Sequence, residues 1–143
     1  MTMDLQSVLT TPCGRVLALY YSRKLAVYNF TVYNQANGKG YCMAWDETQE
    51  KRGSNEIGSL LYLYLKENLQ SNMKHVIITS DSTVVQNRNQ YITSMMLLAV
   101  QVLPNIDVIE QNFLEPGHTE MQVDAMHSAI DGQRKHFENK LSI

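Results

Sequence analysis

The sequence predicts one α/β domain over residues 1–143, with a mixed five-stranded sheet, helices on both faces and elements in the order βββαβαβα. Three observations carry that prediction. Leu25 to Tyr33, rich in Val, Tyr, Phe and Thr, is joined to Tyr41–Trp45 through a turn holding two glycines and two asparagines, which reads as a hairpin. Two later segments carry apolar residues at helical spacing. Each is followed by a short apolar run, so strands there are separated by helices and pair in parallel.

In chain order, Leu5 to Leu9 is a candidate first strand, ended by Thr10-Thr11-Pro12 and Gly14. The hairpin supplies the second and third strands, and Asp46 to Gly53 is a charged loop. Ser54 is a candidate N-cap for a helix whose stripe is Ile57, Leu60, Leu61, Tyr64 and Leu65, at i, i+3, i+4, i+7 and i+8. His75 to Thr79 is the fourth strand. Asn89 to Leu103 is a second helix with Ile92, Met95, Met96, Ala99 and Leu103 on one stripe, stopped by Pro104-Asn105. Ile106 to Phe113 is the fifth strand, Pro116-Gly117 breaks it, and a last helix runs from near Met121 toward Phe137.

Composition narrows the function classes. The chain is 44% hydrophobic and 18% charged with a net charge of −2, so it folds and lacks the global basic footprint of an autonomous nucleic-acid binder. No stretch reaches the roughly 18 apolar residues of a membrane span. Met1-Thr2-Met3-Asp4 lacks a signal-peptide layout, and Cys13 and Cys42 form no CxxC pair, so both are expected as reduced thiols of an intracellular protein.

The chemistry concentrates where Val76-Ile77-Ile78-Thr79-Ser80 ends in Asp81 and then in Gln86, Asn87, Arg88 and Asn89. A strand delivering a carboxylate to its carboxyl end is a common way to build a site in an α/β sheet. The predicted element order is also that of the ribonuclease H-like fold, in which acids of the first strand, the fourth strand end and the last helix converge. Here those are Asp4, Asp81 and Asp124. Three oxygen donors of this kind suit two Mg²⁺ or Mn²⁺ ions that activate a nucleophile and stabilise the leaving oxygen of a phosphodiester. Glu56 is either a fourth ligand or a favourable charge at a helix start. His118 and His127 are candidate supporting groups; His127 also falls on the apolar stripe of Val123, Met126 and Ile130, where a satisfied core histidine is equally expected. Gln86, Asn87, Arg88 and Asn89 are rich in donors suited to phosphate or base contact, or to capping the second helix, and Lys51 and Arg52 to a phosphate backbone. Glu120 is the alternative third acid.

Asp81-x-x-x-x-Gln86-Asn87-Arg88-Asn89, then Phe113-Leu114-x-x-Gly117-His118-Thr119 and Asp124-x-x-His127-Ser128, resemble a group of uncharacterised eukaryotic domains that look like DDE-type, ribonuclease H-like transposase domains of mobile elements. Tyr20-Tyr21-x-x-Lys24-Leu25-x-Val27-Tyr28-Asn29-Phe30, Trp45-x-Glu47-x-x-x-Lys51-Arg52-Gly53-Ser54-x-Glu56-Ile57 and Asp4-Leu5-Gln6 extend the resemblance over nearly the whole chain. It implies a metal-dependent nucleotidyl-transfer core with Asp4, Asp81 and Asp124 as acid triad and metal ligands, and Gly117, His118 and Thr119 as a supporting loop. It further implies a nuclear protein that reaches DNA, or RNA, through additional regions. Thr83 and Val85 stand where members typically carry cysteine and glycine.

Two functions from different classes follow. One is a polynucleotidyl transferase or nuclease core. The other is a catalytically inactive, domesticated domain serving as a protein-interaction, assembly or homodimer module, which the changes at Thr83 and Val85 favour. A nucleotide-binding domain is a third, for which no glycine-rich phosphate loop speaks. None of the three involves a membrane.

Overall fold

The computed structural model describes residues 1–13, 17–69, 72–83, 87–115 and 121–140. Its strands are β1 (Thr2–Leu5), β2 (Leu9–Thr11), β3 (Leu25–Asn34), β4 (Lys39–Asp46), β5 (His75–Ser80) and β6 (Val108–Phe113). Its helices are α1 (Leu17–Tyr20), α2 (Ser54–Asn68), α3 (Gln90–Val102) and α4 (Gln122–Lys140), the first a single turn. All six strands belong to one open, mixed sheet. β3 is long enough to take β1 and β2 end to end as antiparallel partners and to pair β4 as well. β1 continues in parallel to β5, and β5 to β6.

Among the described residues the sheet has six strands rather than the five expected, and the first strand is not Leu5 to Leu9. Strand pairing begins at Thr2 and breaks after Leu5. Gln6 still donates its N–H to the Asn29 carbonyl, 3.0 Å away, but its side chain turns inward to the network described below, while Ser7 and Val8 are exposed. The break at residues 6–8 divides one predicted strand into two.

Every second residue of the inner strands faces α2 and α3. Met3 and Leu5, Phe30 and Val32, and Val76 and Ile78 pack against Ile57, Leu61, Tyr64 and Leu65 of α2 and Ile92, Met96 and Ala99 of α3. Burying one such side chain contributes about 1.5–3 kcal/mol, so this cluster dominates stability. The alternate residues of β1 and β3 face α4, the remaining long helix, whose Val123 and His127 are buried. Gly40 allows α4 close to the hairpin, since a Cβ there would clash with the end of the Met126 side chain. Gly38 makes the turn itself, at φ +67°, a conformation that costs any residue with a Cβ.

Helix starts show which sequence signals operate. Asn89 caps α3, its Oδ1 accepting from the N–H groups of Tyr91 (3.0 Å) and Ile92 (3.2 Å). α2 begins differently from expectation: Gly53 is the cap residue and makes no side-chain bond, and Ser54 is already helical. Glu56 folds back there, its Oε2 2.6 Å from where a Gly53 Cβ would stand, so its carboxylate sits at the positive end of the helix. No helix among the described residues is long and apolar enough to cross a membrane.

Candidate acid–histidine site

The antiparallel register sets Asp4 of β1 opposite Thr31 of β3, and Thr31 opposite Cys42 of β4, making one row of side chains across three strands. α4 lies over that row. Its first turns bring Asp124 and His127 down, so ligand atoms of Asp4, Asp124 and His127 fall within 4.8 Å of one another. His127 is 9% exposed, with Nε2 3.0 Å from Thr31 Oγ1 and Nδ1 3.7 Å from Asp4 Oδ2. Asp124 holds its own helix start, accepting the Met121 N–H at 2.6 Å in the manner of a capping box.

Asp81 follows the carboxyl end of β5, and its neighbours hold it firmly. Its Oδ1 accepts from the Asn87 amide and, at 3.4 Å, from the Thr83 N–H; its Oδ2 accepts the Thr83 hydroxyl. It is not one of the three groups that converge, but its charge reaches Asp4. The Asp4 carboxyl is pushed up to about 6, first by burial, then by the charge of Asp81 and less by that of Asp124, against a backbone hydrogen bond from Leu5 and the charge of Arg52. Burial likewise holds the His127 imidazole below its ordinary value, opposed by Asp124 and Asp131.

A polar network supports these groups from below. Gln6 Nε2 donates to the His127 carbonyl at 3.2 Å, and Asn29 Nδ2 donates to Gln6 Oε1 at 3.0 Å and to Thr31 Oγ1 at 3.2 Å. Thr31 Oγ1 lies 3.8 Å from Cys42 Sγ. β1, β3, β4 and α4 are thus tied together by polar side chains under the carboxylates. The sequence reading assigns Gln6, Asn29 and Thr31 no role at the site, because only strand register and helix docking bring them to Asp4. The one local signal was the alternation of polar residues through Asn29, Thr31 and Tyr33.

The other sequence candidates lie as follows. Asn87 is 1% exposed; its amide is given to Asp81 and its carbonyl accepts from Gln111 Nε2 at 3.0 Å, so it braces the acid rather than facing a nucleic acid. Asn89 is the α3 cap. Arg88 is exposed, its guanidinium 5.7 Å from the centre of the Phe113 ring. Lys51 and Arg52 are exposed in the loop before α2, where Trp45 Nε1 donates to the Lys51 carbonyl at 3.3 Å. Glu56 does not join the acid cluster; it lines a groove of about 630 Å³ between β4 and α2 with Trp45, Glu50 and Leu60, and none of the clustered acids lines that groove. Gln86, Gly117, His118, Thr119 and Glu120 lie outside the described residues.

The donor chemistry fits a divalent cation. Counting two lone pairs per carboxylate oxygen, among the described residues Asp81 Oδ1 takes two donors and Oδ2 one. Asp124 spends one pair on Met121. Oxygen donors remain beside a buried imidazole, and the clustered negative charge that raises Asp4 is what a cation relieves. No protein family, curated protein or solved structure matches the chain.

Proposed function

We propose that this domain is a ribonuclease H-like, DDE-type core, derived from a transposase, that acts on DNA phosphodiesters in the nucleus with a divalent cation. The observation that carries the reading is the convergence of Asp4, Asp124 and His127, from a central strand and a helix remote in sequence, beside Asp81. Support for the fold comes from the strand order. With β1 and β2 taken as one interrupted strand, three antiparallel strands continue into two parallel ones, the layout this reading expects.

Asp4, Asp124 and His127 would hold the cation, with Asp81 Oδ2 as the further oxygen toward a second one. When bound, Mg²⁺ or Mn²⁺ supplies Lewis-acid activation of a nucleophile and charge stabilisation at the leaving oxygen. The chain's own residues do the rest. Thr83 and Asn87 fix the Asp81 carboxylate, Met121 fixes Asp124, and exposed Arg52, near enough to act on Asp4, offers a cationic contact to a phosphate.

A second reading has its own observation. Asp124 serves as a helix cap and Asp81 as an acceptor for Thr83 and Asn87, so both acids have structural work that requires no cation. That favours an inactive module for protein interaction or assembly. A melt with Mn²⁺ or Mg²⁺ titrated in separates the two. Saturable stabilisation of the native chain, lost in Asp81→Asn and Asp4→Asn, supports the enzyme reading, and cleavage of labelled DNA then follows as the direct assay. Melts insensitive to both cations would leave the module reading.

A further inference from the structure

His127 raises a question that carboxylates alone do not. Its ring is nine-tenths buried, Nε2 is engaged by Thr31, and Nδ1 faces Asp4 Oδ2 at 3.7 Å, beyond hydrogen-bond distance of it. That gap is too long for a hydrogen bond and short enough for two ligands of one cation. Which tautomer the ring adopts depends on Thr31, whose hydroxyl has one proton and two lone pairs.

One lone pair of Oγ1 accepts from Asn29 Nδ2 at 3.2 Å. If the second accepts Nε2–H, the hydroxyl proton is left for Cys42 Sγ, 3.8 Å away, and both Thr31 lone pairs and its proton are used. The Nδ1 lone pair then points at the carboxylates. In the opposite tautomer Thr31 donates to Nε2, its second lone pair accepts the Cys42 thiol proton, and Nδ1–H faces Asp4 Oδ2 at 3.7 Å. The row Asp4–Thr31–Cys42 therefore accommodates either tautomer, and a cation at Nδ1 selects the one in which Thr31 accepts Nε2–H.

We infer that His127 Nδ1 is a cation ligand, that Thr31 is the positioning residue that accepts Nε2–H once Nδ1 is ligated, and that the site consequently prefers a nitrogen-accepting transition cation over Mg²⁺. The inference rests on the cation-site reading above. Its physical basis is ligand softness: carboxylates alone suit Mg²⁺, whereas an imidazole adds affinity for ions of the Co²⁺ and Zn²⁺ type. The Mg²⁺ affinity of the site comes from Asp4 and Asp124, and the extra transition-ion affinity from His127.

The test is a titration of the folded domain with Co²⁺, Zn²⁺ and Mg²⁺ separately, read by calorimetry and, for Co²⁺, by visible absorption. Wild type binds Co²⁺ and Zn²⁺ more tightly than Mg²⁺. His127→Asn removes that preference and the imidazole signature in the Co²⁺ spectrum, with circular dichroism confirming that the variant is folded. Thr31→Val, nearly isosteric, lowers Zn²⁺ affinity by about 10–100-fold with Mg²⁺ unchanged, and Thr31→Ser restores it. Long-range ¹⁵N NMR of the wild-type imidazole needs no variant: Zn²⁺ displaces the Nδ1 resonance and leaves the proton on Nε2. Cation binding with no preference among the ions, or an Nδ1 resonance unmoved at saturating Zn²⁺, would overturn the inference and leave the cation site standing. Absence of binding by all three ions would overturn the site itself.

Discussion

Asp4→Asn should make the cation-free domain more stable at neutral pH, although it removes a native side chain from the middle of the sheet. Asp4 is one-fifth exposed, and its carboxyl is pushed from 3.8 up to about 6, chiefly by burial and then by Asp81. Between those two values the native state holds a proton that the unfolded chain has released, so the unfolding free energy falls as pH rises through the window. At about 1.4 kcal/mol per pH unit the full displacement costs about 3 kcal/mol above pH 7, and under about 1 kcal/mol at pH 4. Asparagine keeps the shape and carries no charge to desolvate. It should therefore regain about 1–3 kcal/mol at pH 7.5, a rise in melting temperature of roughly 3–10 °C for a domain of this size, and little at pH 4. Urea and thermal melts of both proteins in chelator-containing buffer at the two pH values measure this. A variant no more stable than wild type at pH 7.5, or a difference that does not shrink on acidification, would refute the account of Asp4 as a charge confined by burial and like neighbours. Saturating cation should reverse the ranking, because only the native carboxylate gains from it.

His127 titrates with the opposite sign: burial lowers its value, so the native state binds fewer protons than the unfolded chain and stability drops as pH falls below about 6.5. A ring-proton titration followed by NMR in chelator should give a midpoint below that of a free histidine, and one at or above it would contradict the burial argument. Leu61→Ala, at a fully buried position of α2, should cost about 2–5 kcal/mol in a urea melt with an unchanged slope. Asn89→Ala should cost about 1 kcal/mol by removing the α3 cap, and Asn89→Asp should retain most of it. Asn87→Ala should weaken Mn²⁺ binding measured by calorimetry, since Asp81 loses the amide that holds it.

The elements with a local signal were legible in sequence. The hairpin turn declares itself by Asn34, Asn37 and Gly38, because only glycine adopts the positive φ at low cost. α3 was marked at both ends, by Asn89 and by Pro104, and its buried residues Ile92, Met96 and Ala99 are those of the helical stripe. α2 kept its stripe but not its cap: serine is a good N-cap residue, yet Glu56 could fold against a glycine one position earlier, and cap choice between neighbours turns on that packing. The first strand was misplaced because Thr2–Leu5 has little periodicity of its own. It is a strand because β3 and β5 flank it, which propensity in a four-residue segment does not encode.

The amino-acid order by itself determined the α/β class, the separation of apolar from polar faces, and the presence of acids at Asp4, Asp81 and Asp124, because those are properties of spacing along one chain. Only the tertiary structure decided which of them meet. Strand register set Asp4 opposite Thr31, α4 docking brought Asp124 and His127 onto that row, and Thr83 with Asn87 claimed most of Asp81. Asp4 and His127 are 123 positions apart, and His127 and Thr31 are 96 apart. Contacts of that kind come from burial shared among many elements, and no short window of sequence contains the energy that chooses them.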